Sequence, residues 1–391
     1  MSTRLGFSKL ARGGLLGVAN SNYCKWLSCV IALALGWLGS AMSAQDLDGD
    51  CYRYKYVSLT GVKVPPGFDQ FVPTVIDDRG RIYGDVYEQS GIAHVAIYEH
   101  GVLTVLKPGN AVTANAIGTI GGFVSDYPQS DDLQAALFRR SRVELIPPLL
   151  PGETRSLVQS VNDSDTALVW SEDPSGFNRN TYRLYKKGKT LFSYQIPTGS
   201  DCSSCWGVNN QGTVVGTVYD PQLDAFRAIR FRHPYGKAKL LNPLPTDTDS
   251  TSFGINNSGY TLGVSNVFLG DATKNHYGIW DQKGNFKTYY EGIYYAALFN
   301  DKNLIVLTAN FEPDNNSYLV PRPGVRLNME DLLVNPDDVE APLAQVVDIN
   351  NQGDMIGYGQ CFSSPCPKFL LQLVSPAVHC KFLTGLSGSL Q

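Results

Sequence analysis

The chain has 391 residues, of which 17% are charged and 43% apolar, with 38 Gly and 21 Tyr against only 4 Met. That composition can fill a core, excludes global disorder, and leans toward strands and tight turns rather than helical bundles. A net charge of −4 lacks the basic surface that phosphate neutralisation requires, so nucleic acid is not an expected partner.

Residues 1–44 contain no Asp or Glu and carry Arg4, Lys9, Arg12 and Lys25; an apolar run from Trp26 to Leu38 leads to Ala41-Met42-Ser43-Ala44. A basic start, a short apolar run and small residues at Ala41 and Ser43 read as a secretory signal peptide over 1–43. The apolar run falls short of the ~20 residues of a spanning helix, and no later segment is long and apolar enough to replace it. Removing the leader leaves 28 Lys+Arg against 36 Asp+Glu, a mature charge of −8. Asp46-Leu47-Asp48-Gly49-Asp50 alternates carboxylates as a Ca²⁺ loop does. The EF-hand rule then wants Gly at the sixth position and an acid at the twelfth. Those places hold Cys51 and Val57, so a flexible acidic N-terminus is expected, with no metal and no cofactor.

Cys24 and Cys29 leave with the leader. The remaining six, Cys51, Cys202, Cys205, Cys361, Cys366 and Cys380, are an even number, as in a disulfide-bonded exported chain. Proximity pairs Cys202 with Cys205 and Cys361 with Cys366, and elimination leaves Cys51 for Cys380, one of 15 possible pairings. The C-x-x-C at 202–205 could also be a redox pair or half a zinc site, but it has neither a βαβ context nor a second C-x-x-C.

From position 77 onward the chain repeats. The runs Val208-Asn209-Asn210-Gln211-Gly212-Thr213-Val214-Val215-Gly216, Ile255-Asn256-Asn257-Ser258-Gly259-Tyr260-Thr261-Leu262-Gly263 and Ile349-Asn350-Asn351-Gln352-Gly353-Asp354-Met355-Ile356-Gly357 show one pattern. Four more copies open at 77, 115, 162 and 300, so the intervals are 38, 47, 47, 47, 44 and 50 residues. All seven first positions are Asn or Asp, and all seven fourth positions are Gly, Asp or Asn. An Asx side chain bonds its own backbone two residues on, and the fourth residue tolerates a left-handed backbone. Each copy therefore predicts a hairpin turn between two short strands. The second Gly, inside the following strand, predicts a close backbone approach, expected near the axis of a toroid of sheets. A third strand follows at Ala93–Tyr98, Gln134–Phe138, Tyr182–Tyr185, Ala225–Phe231, His276–Trp280 and Lys368–Leu371, often with a more polar fourth such as Val102–Leu106.

Four strands per 40–45 residues is the period of a propeller blade. The expected fold is all-β: a single β-propeller of about seven four-stranded blades over 44–380, with 381–391 as a tail. The seventh copy lacks a fourth strand, and Tyr52–Leu59 is a spare one that would close the last blade. The proposed Cys51–Cys380 bridge would sit at that seam.

The Gly-Ile-Asn-Asn-x-Gly-x-x-x-Gly run at 254–263, followed by His-x-x-x-Trp at 276–280, resembles the HAF extracellular repeats of bacterial exported proteins. The resemblance spans about 75–374 and is clearest in copies four, five and seven. Ala93-His94-Val95 and Asp224-Ala225-Phe226 are partial echoes of the family's triplet. It implies an exported propeller and little about activity.

No catalytic motif accompanies the repeat. His94, His100, His233, His276 and His379 form no helical ligand pair, and neither a G-x-S-x-G elbow nor a Walker loop is present. Asp126, Asp131 and Asp132, or Asp247 and Asp249, could be paired acids on blade loops. Tyr289 and Tyr290, and Tyr294 and Tyr295, could form aromatic platforms or pack between blades. Three function classes remain: an exported scaffold binding a protein or glycan, a carbohydrate-active hydrolase or lyase, and a structural envelope protein.

Overall fold

The computed structural model describes residues 51–125, 132–172, 180–195, 204–232, 238–269, 272–292, 296–308, 316–361 and 366–374. They form seven four-stranded antiparallel sheets, arranged as a seven-bladed β-propeller. Blade 1 runs through Phe68–Ile76, Ile82–Glu88, Ala93–Glu99 and Val102–Pro108; blade 2 through Asn110–Ala114, Ile120–Val124, Gln134–Arg139 and Arg142–Leu145. Blade 3 comprises Ser156–Val161, Ala167–Glu172, Asn180–Lys186 and Lys189–Gln195; blade 4, Ser204–Val208, Thr213–Asp220, Ala225–Arg232 and Lys239–Leu241. Blade 5 comprises Asp249–Ile255, Thr261–Leu269, Ala272–Trp280 and Phe286–Glu291; blade 6, Ala296–Phe299, Ile305–Thr308, Ser317–Arg322 and Val325–Asn328. Blade 7 takes Gln345–Ile349, Met355–Tyr358 and Lys368–Val374 from the end of the chain and its outermost strand, Arg53–Ser58, from the start. The spare N-terminal strand thus closes the ring, pairing antiparallel with Lys368–Val374 from Arg53 opposite Val374 to Ser58 opposite Phe369.

The first strands of neighbouring blades adjoin one another around the ring, including blade 7 to blade 1, so they are the inner strands. Core clusters are shared between blades. Tyr83, Val95 and Ile97 of blade 1 pack with Ala111, Ile120, Ala136 and Phe138 of blade 2, and Ile356 and Leu370 of blade 7 pack with Phe71, Ile82 and Ala96 of blade 1. No blade buries its apolar faces alone, which makes an open ring costly.

The seven turns take the predicted form. Gly80, Gly118, Asp165, Gly212, Gly259, Asn303 and Gly353 all have positive φ, between 61° and 98°. At Asn209 the side-chain oxygen accepts from Gln211 N at 3.1 Å and Thr213 N at 3.0 Å. The glycine in the second strand answers a β-bulge in the first: pairing shifts between Cys205 and Gly207 opposite Gly216, and between Ser252 and Gly254 opposite Gly263. A Cβ on Gly216 would collide with the Ser204 carbonyl oxygen, and one on Gly263 with that of Thr251. The crowding comes from the inner strand of the same blade. Blade 6 pairs its first two strands without a bulge, so Leu307 fits where five other copies carry glycine. Blade 3 keeps the bulge with Val169 in that place, which nothing in the structure explains.

The turns also latch blade to blade. The Nδ2 of Asn115 donates to Asn162 O at 2.9 Å, and Asn162, Asn209, Asn256, Asn300 and Asn350 repeat this to the next blade's first position at 2.7–3.3 Å, ending on Asp77 O. A second circle runs beside it, in which the backbone N–H of each second turn residue donates to the side-chain oxygen of its counterpart: Ala116 to Asp163, Asp163 to Asn210, Asn210 to Asn257, Asn257 to Asp301, Asp301 to Asn351 and Asn351 to Asp78. Both circles fail at the step from blade 1 to blade 2, because Asp77 has no donor and Ala116 no side-chain acceptor. Arg81 fills the gap: its Nε donates to Asp77 Oδ2 at 2.6 Å and its Nη2 to Ala116 O at 3.3 Å.

The closing strand is held on its outer edge too. The connection 329–344, with 3₁₀ turns at Glu330–Leu332 and Pro336–Asp338, lies along it. Val334 N donates to Tyr54 O at 2.9 Å, Tyr56 N donates to Asn335 Oδ1 at 2.8 Å, and Ser58 Oγ donates to Glu340 Oε1 at 2.6 Å. A free sheet edge is thereby covered.

Candidate functional site: the face of the long connections

In an antiparallel meander, the links from first to second strand and from third to fourth emerge at one end of the sheet, and the remaining links at the other. The propeller therefore has two faces of different character. On the turn face every first link is the same Asx turn, and the third link is as short as His100-Gly101 or Lys187-Gly188, whose residues have φ of 49–81°. On the opposite face the link from second to third strand varies from 270–271 in blade 5 to 125–133 in blade 2, and that between blades from residue 109 alone to 329–344. Constant turns serve the ring, whereas variable links on a rigid frame are where recognition is built.

The most organised polar cluster on this second face surrounds His276, in the middle of the third strand of blade 5 and level with the end of the fourth. Its Nδ1 lies 2.7 Å from Asp247 Oδ2, and its Nε2 lies 3.4 Å from Glu291 Oε1. Ser265 Oγ donates to the same Asp247 oxygen at 2.6 Å and accepts from Leu244 N at 2.8 Å. Lys274 Nζ pairs with the other oxygen of Glu291 at 3.0 Å. The cluster joins the connection entering blade 5 to the middle of its second and third strands and the end of its fourth. Serine, histidine and aspartate meet here without the geometry of nucleophilic catalysis. Ser265 bonds the aspartate rather than the imidazole, and Nε2 faces a carboxylate instead of a hydroxyl. His94 occupies the same register in blade 1, two residues before the partner of the second-strand glycine; its Nε2 lies 2.8 Å from Glu88 Oε1. Both histidines are thus fastened to carboxylates at the rim.

Asp249, expected beside Asp247, is bonded elsewhere: its Oδ1 accepts from Phe226 N at 2.8 Å and its Oδ2 from Thr248 Oγ1 at 2.5 Å. Asp126 and Asp131 lie outside the described residues. Tyr289 and Tyr290 are half-buried against the core of blades 5 and 6, with Arg326 over the Tyr290 ring at 5.1 Å, which is packing rather than an open platform. Tyr294, Tyr295, His233, His379 and the acidic run 46–50 lie outside the described residues. Among the described residues no group of three or more His, Cys, Asp or Glu is placed to hold a metal ion, and no helix is long and apolar enough to cross a membrane.

Cys361 and Cys366 form a disulfide with Cα atoms 4.8 Å apart, within the link from second to third strand of blade 7. Cys205 corrects the expectation of a Cys202–Cys205 bridge. It is a buried free thiol on the inner strand of blade 4, and burial pushes its pKa upward, so it behaves as a small apolar residue rather than a redox group. Cys51 is disulfide-bonded, with a partner outside the described residues; Cys202 and Cys380 are also outside them.

Two carboxylates at the seams of blade 1, the buried Asp85 and the half-buried Asp348, carry no sequence signal. Asp85 accepts from Ala111 N at 2.8 Å and Asn110 Nδ2 at 3.2 Å, and burial raises its pKa to about 6. Asp348 Oδ2 accepts from Ile76 N at 2.8 Å across the blade 7 to blade 1 seam; burial of its carboxyl raises its pKa to about 7. Each reaches its partner through blade packing, which no local pattern announces.

No family model and no curated protein matches the chain. Solved structures do match in fold. The β-propeller domain of the trilobed protease from Pyrococcus furiosus is 9% identical, with a TM-score of 0.55 over 81% of this chain and 97% of that one. A prolyl endopeptidase structure is 10% identical with a TM-score of 0.54, covering 91% of this chain and 55% of the other. Pyrococcus horikoshii acylaminoacyl peptidase is 10% identical with a TM-score of 0.53, covering 81% and 53%. The chain thus spans about half the length of these two peptidases, and at such identities the likeness is one of propeller fold.

Proposed function

We propose that the chain is an exported propeller of the HAF-repeat type that binds a protein or glycan through its long-connection face. The observation that carries this reading is the contrast between the faces: seven near-identical turns on one, and links of widely differing length on the other. Export is supported by the basic, acid-free leader with its apolar run and by the Cys361–Cys366 disulfide, since disulfides persist in oxidising compartments. In this reading Cys51 bonds Cys380 and pins the chain ends at the closing blade. Non-reducing peptide mapping of the exported protein should recover that pair and an N-terminus at Ala44. Pull-down from native envelope extract, together with a glycan array, tests the binding itself. A specific retained protein or glycan is expected, and its absence from both would favour the structural envelope reading. The carbohydrate-active alternative would require turnover of a polysaccharide that is lost on changing Asp126 or Asp131.

A further inference from the structure

Three buried polar atoms that lack a hydrogen-bond partner come from residues gathered at one place, between blades 2 and 3 on the long-connection face: Glu153 Oε1, Ser171 Oγ and Arg183 Nε. The Glu153 and Arg183 side chains are each only 1% exposed. Ser171 and Val169 share one face of their strand by alternation, and their partners across the ladder are Thr181 and Arg183. That face looks onto Ala135, Leu137 and Ile146 of blade 2. The connection 146–155 covers it: Arg183 Nη2 donates to Pro147 O at 2.7 Å, and Glu153 Oε2 accepts from Leu149 N at 2.8 Å and Leu150 N at 3.3 Å. Arg183 Nη2 stands 3.8 Å from Glu153 Oε1, beyond hydrogen-bond reach.

Orphaned buried groups of this kind are costly, a charged one more than a neutral one, so three on neighbouring residues point to a guest. The charges decide its class. An anion would meet the Glu153 carboxylate, a metal ion would meet the guanidinium, and an apolar group would satisfy neither. A hydroxyl oxygen donates once and accepts twice, and at ~2.8 Å per bond it spans up to about 5.6 Å between two partners. We propose that this crevice holds a hydroxyl group that donates to Glu153 Oε1 and accepts from Arg183 Nε, with Ser171 Oγ as its third partner. The group is supplied by a water molecule or by a sugar hydroxyl.

Crystals of the mature protein, grown with galactose and without any polyol, separate the two sources. An isolated oxygen about 3 Å from both Glu153 Oε1 and Arg183 Nε in both crystals identifies water. A sugar ring seated there only in the galactose crystals identifies the second source. Either result supports the site. An empty crevice, a direct Glu153–Arg183 hydrogen bond in place of the guest, or a peak with the anomalous signal of a metal or halide overturns it. Ser171→Ala gives a solution readout. With a guest bound, losing its third partner lowers Tm by about 1–3 °C. An unchanged or higher Tm, the result of deleting a merely orphaned hydroxyl, contradicts the proposal.

Discussion

The two faces of the propeller are built from the same strands and obey different rules. On the turn face every copy keeps an Asx residue first and a left-handed residue fourth, because each turn must both close its own hairpin and reach the next blade. On the long-connection face no such double duty exists, and the links vary freely in length. Where the turn face does depart from its rule, at Asp77 and Ala116, a replacement stands beside it: Arg81 makes the bridge that the missing amide would have made. Tolerance on one face and compensation on the other separate holding the ring from using it.

The largest expected break comes at the closing strand. Deleting 45–60 removes Tyr54, Tyr56 and Leu59, all at most 3% exposed, and bares the edge of Lys368–Val374. At ~1.5–3 kcal/mol per buried side chain, the loss exceeds about 5 kcal/mol, and cooperative thermal unfolding should disappear. Next is a latch residue: Asn209→Ala strips two accepted N–H bonds and one donated bond from a buried turn, at an expected cost of about 2–4 kcal/mol by chemical denaturation. The blade 1 substitute sharpens the same point. Arg81→Met alone leaves the Asp77 carboxylate without its buried ion-pair partner and should cost about 3 kcal/mol. Adding Asp77→Asn restores the consensus donor, so the double variant should be more stable than Arg81→Met, and a double-mutant cycle reads the coupling.

A smaller effect is set by pH. Asp85 and Asp348 have folded pKa values of about 6 and about 7, above the ordinary carboxylate value. The folded state therefore holds their protons more tightly than the unfolded state. Their contribution is complete below the unfolded pKa and is lost as pH rises through about 6 and about 7. Melting should thus occur at a higher temperature at pH 5 than at pH 8, and Asp348→Asn should flatten the upper part of that slope. The smallest effect belongs to the other face: Leu223→Ala, at a residue 57% exposed in a link of blade 4, should change stability by under about 0.5 kcal/mol.

The ring was legible in the sequence because its turns impose backbone requirements that only a few residues meet. Asn or Asp at the first place and a left-handed residue at the fourth survive even in blades 3 and 6, where the strand glycine is replaced by Val169 and Leu307. The spare strand at Tyr52–Leu59 was legible by counting, since the last repeat had only three. The blade-to-blade latches were not, because the partner of Asn162 is a backbone oxygen 47 residues away and only the curvature of the ring brings it near. The same limit applies at the rim. Asp247 and His276 each stood out along the chain, but Ser265 and Glu291, which complete their cluster, are ordinary residues until register sets them side by side. Cys202 and Cys205 mislead for the opposite reason: proximity along the chain implies a bridge, while strand alternation turns Cys205 into the core.

The division between a holding face and a using face is tested most directly by placing a photo-crosslinking residue at two positions of equal exposure. Leu223 on the long-connection face and Ile117 on the turn face are each 57% exposed. In native envelope extract, position 223 should give discrete crosslinked species and position 117 none. Discrete crosslinks from 117, with none from 223, would contradict the division.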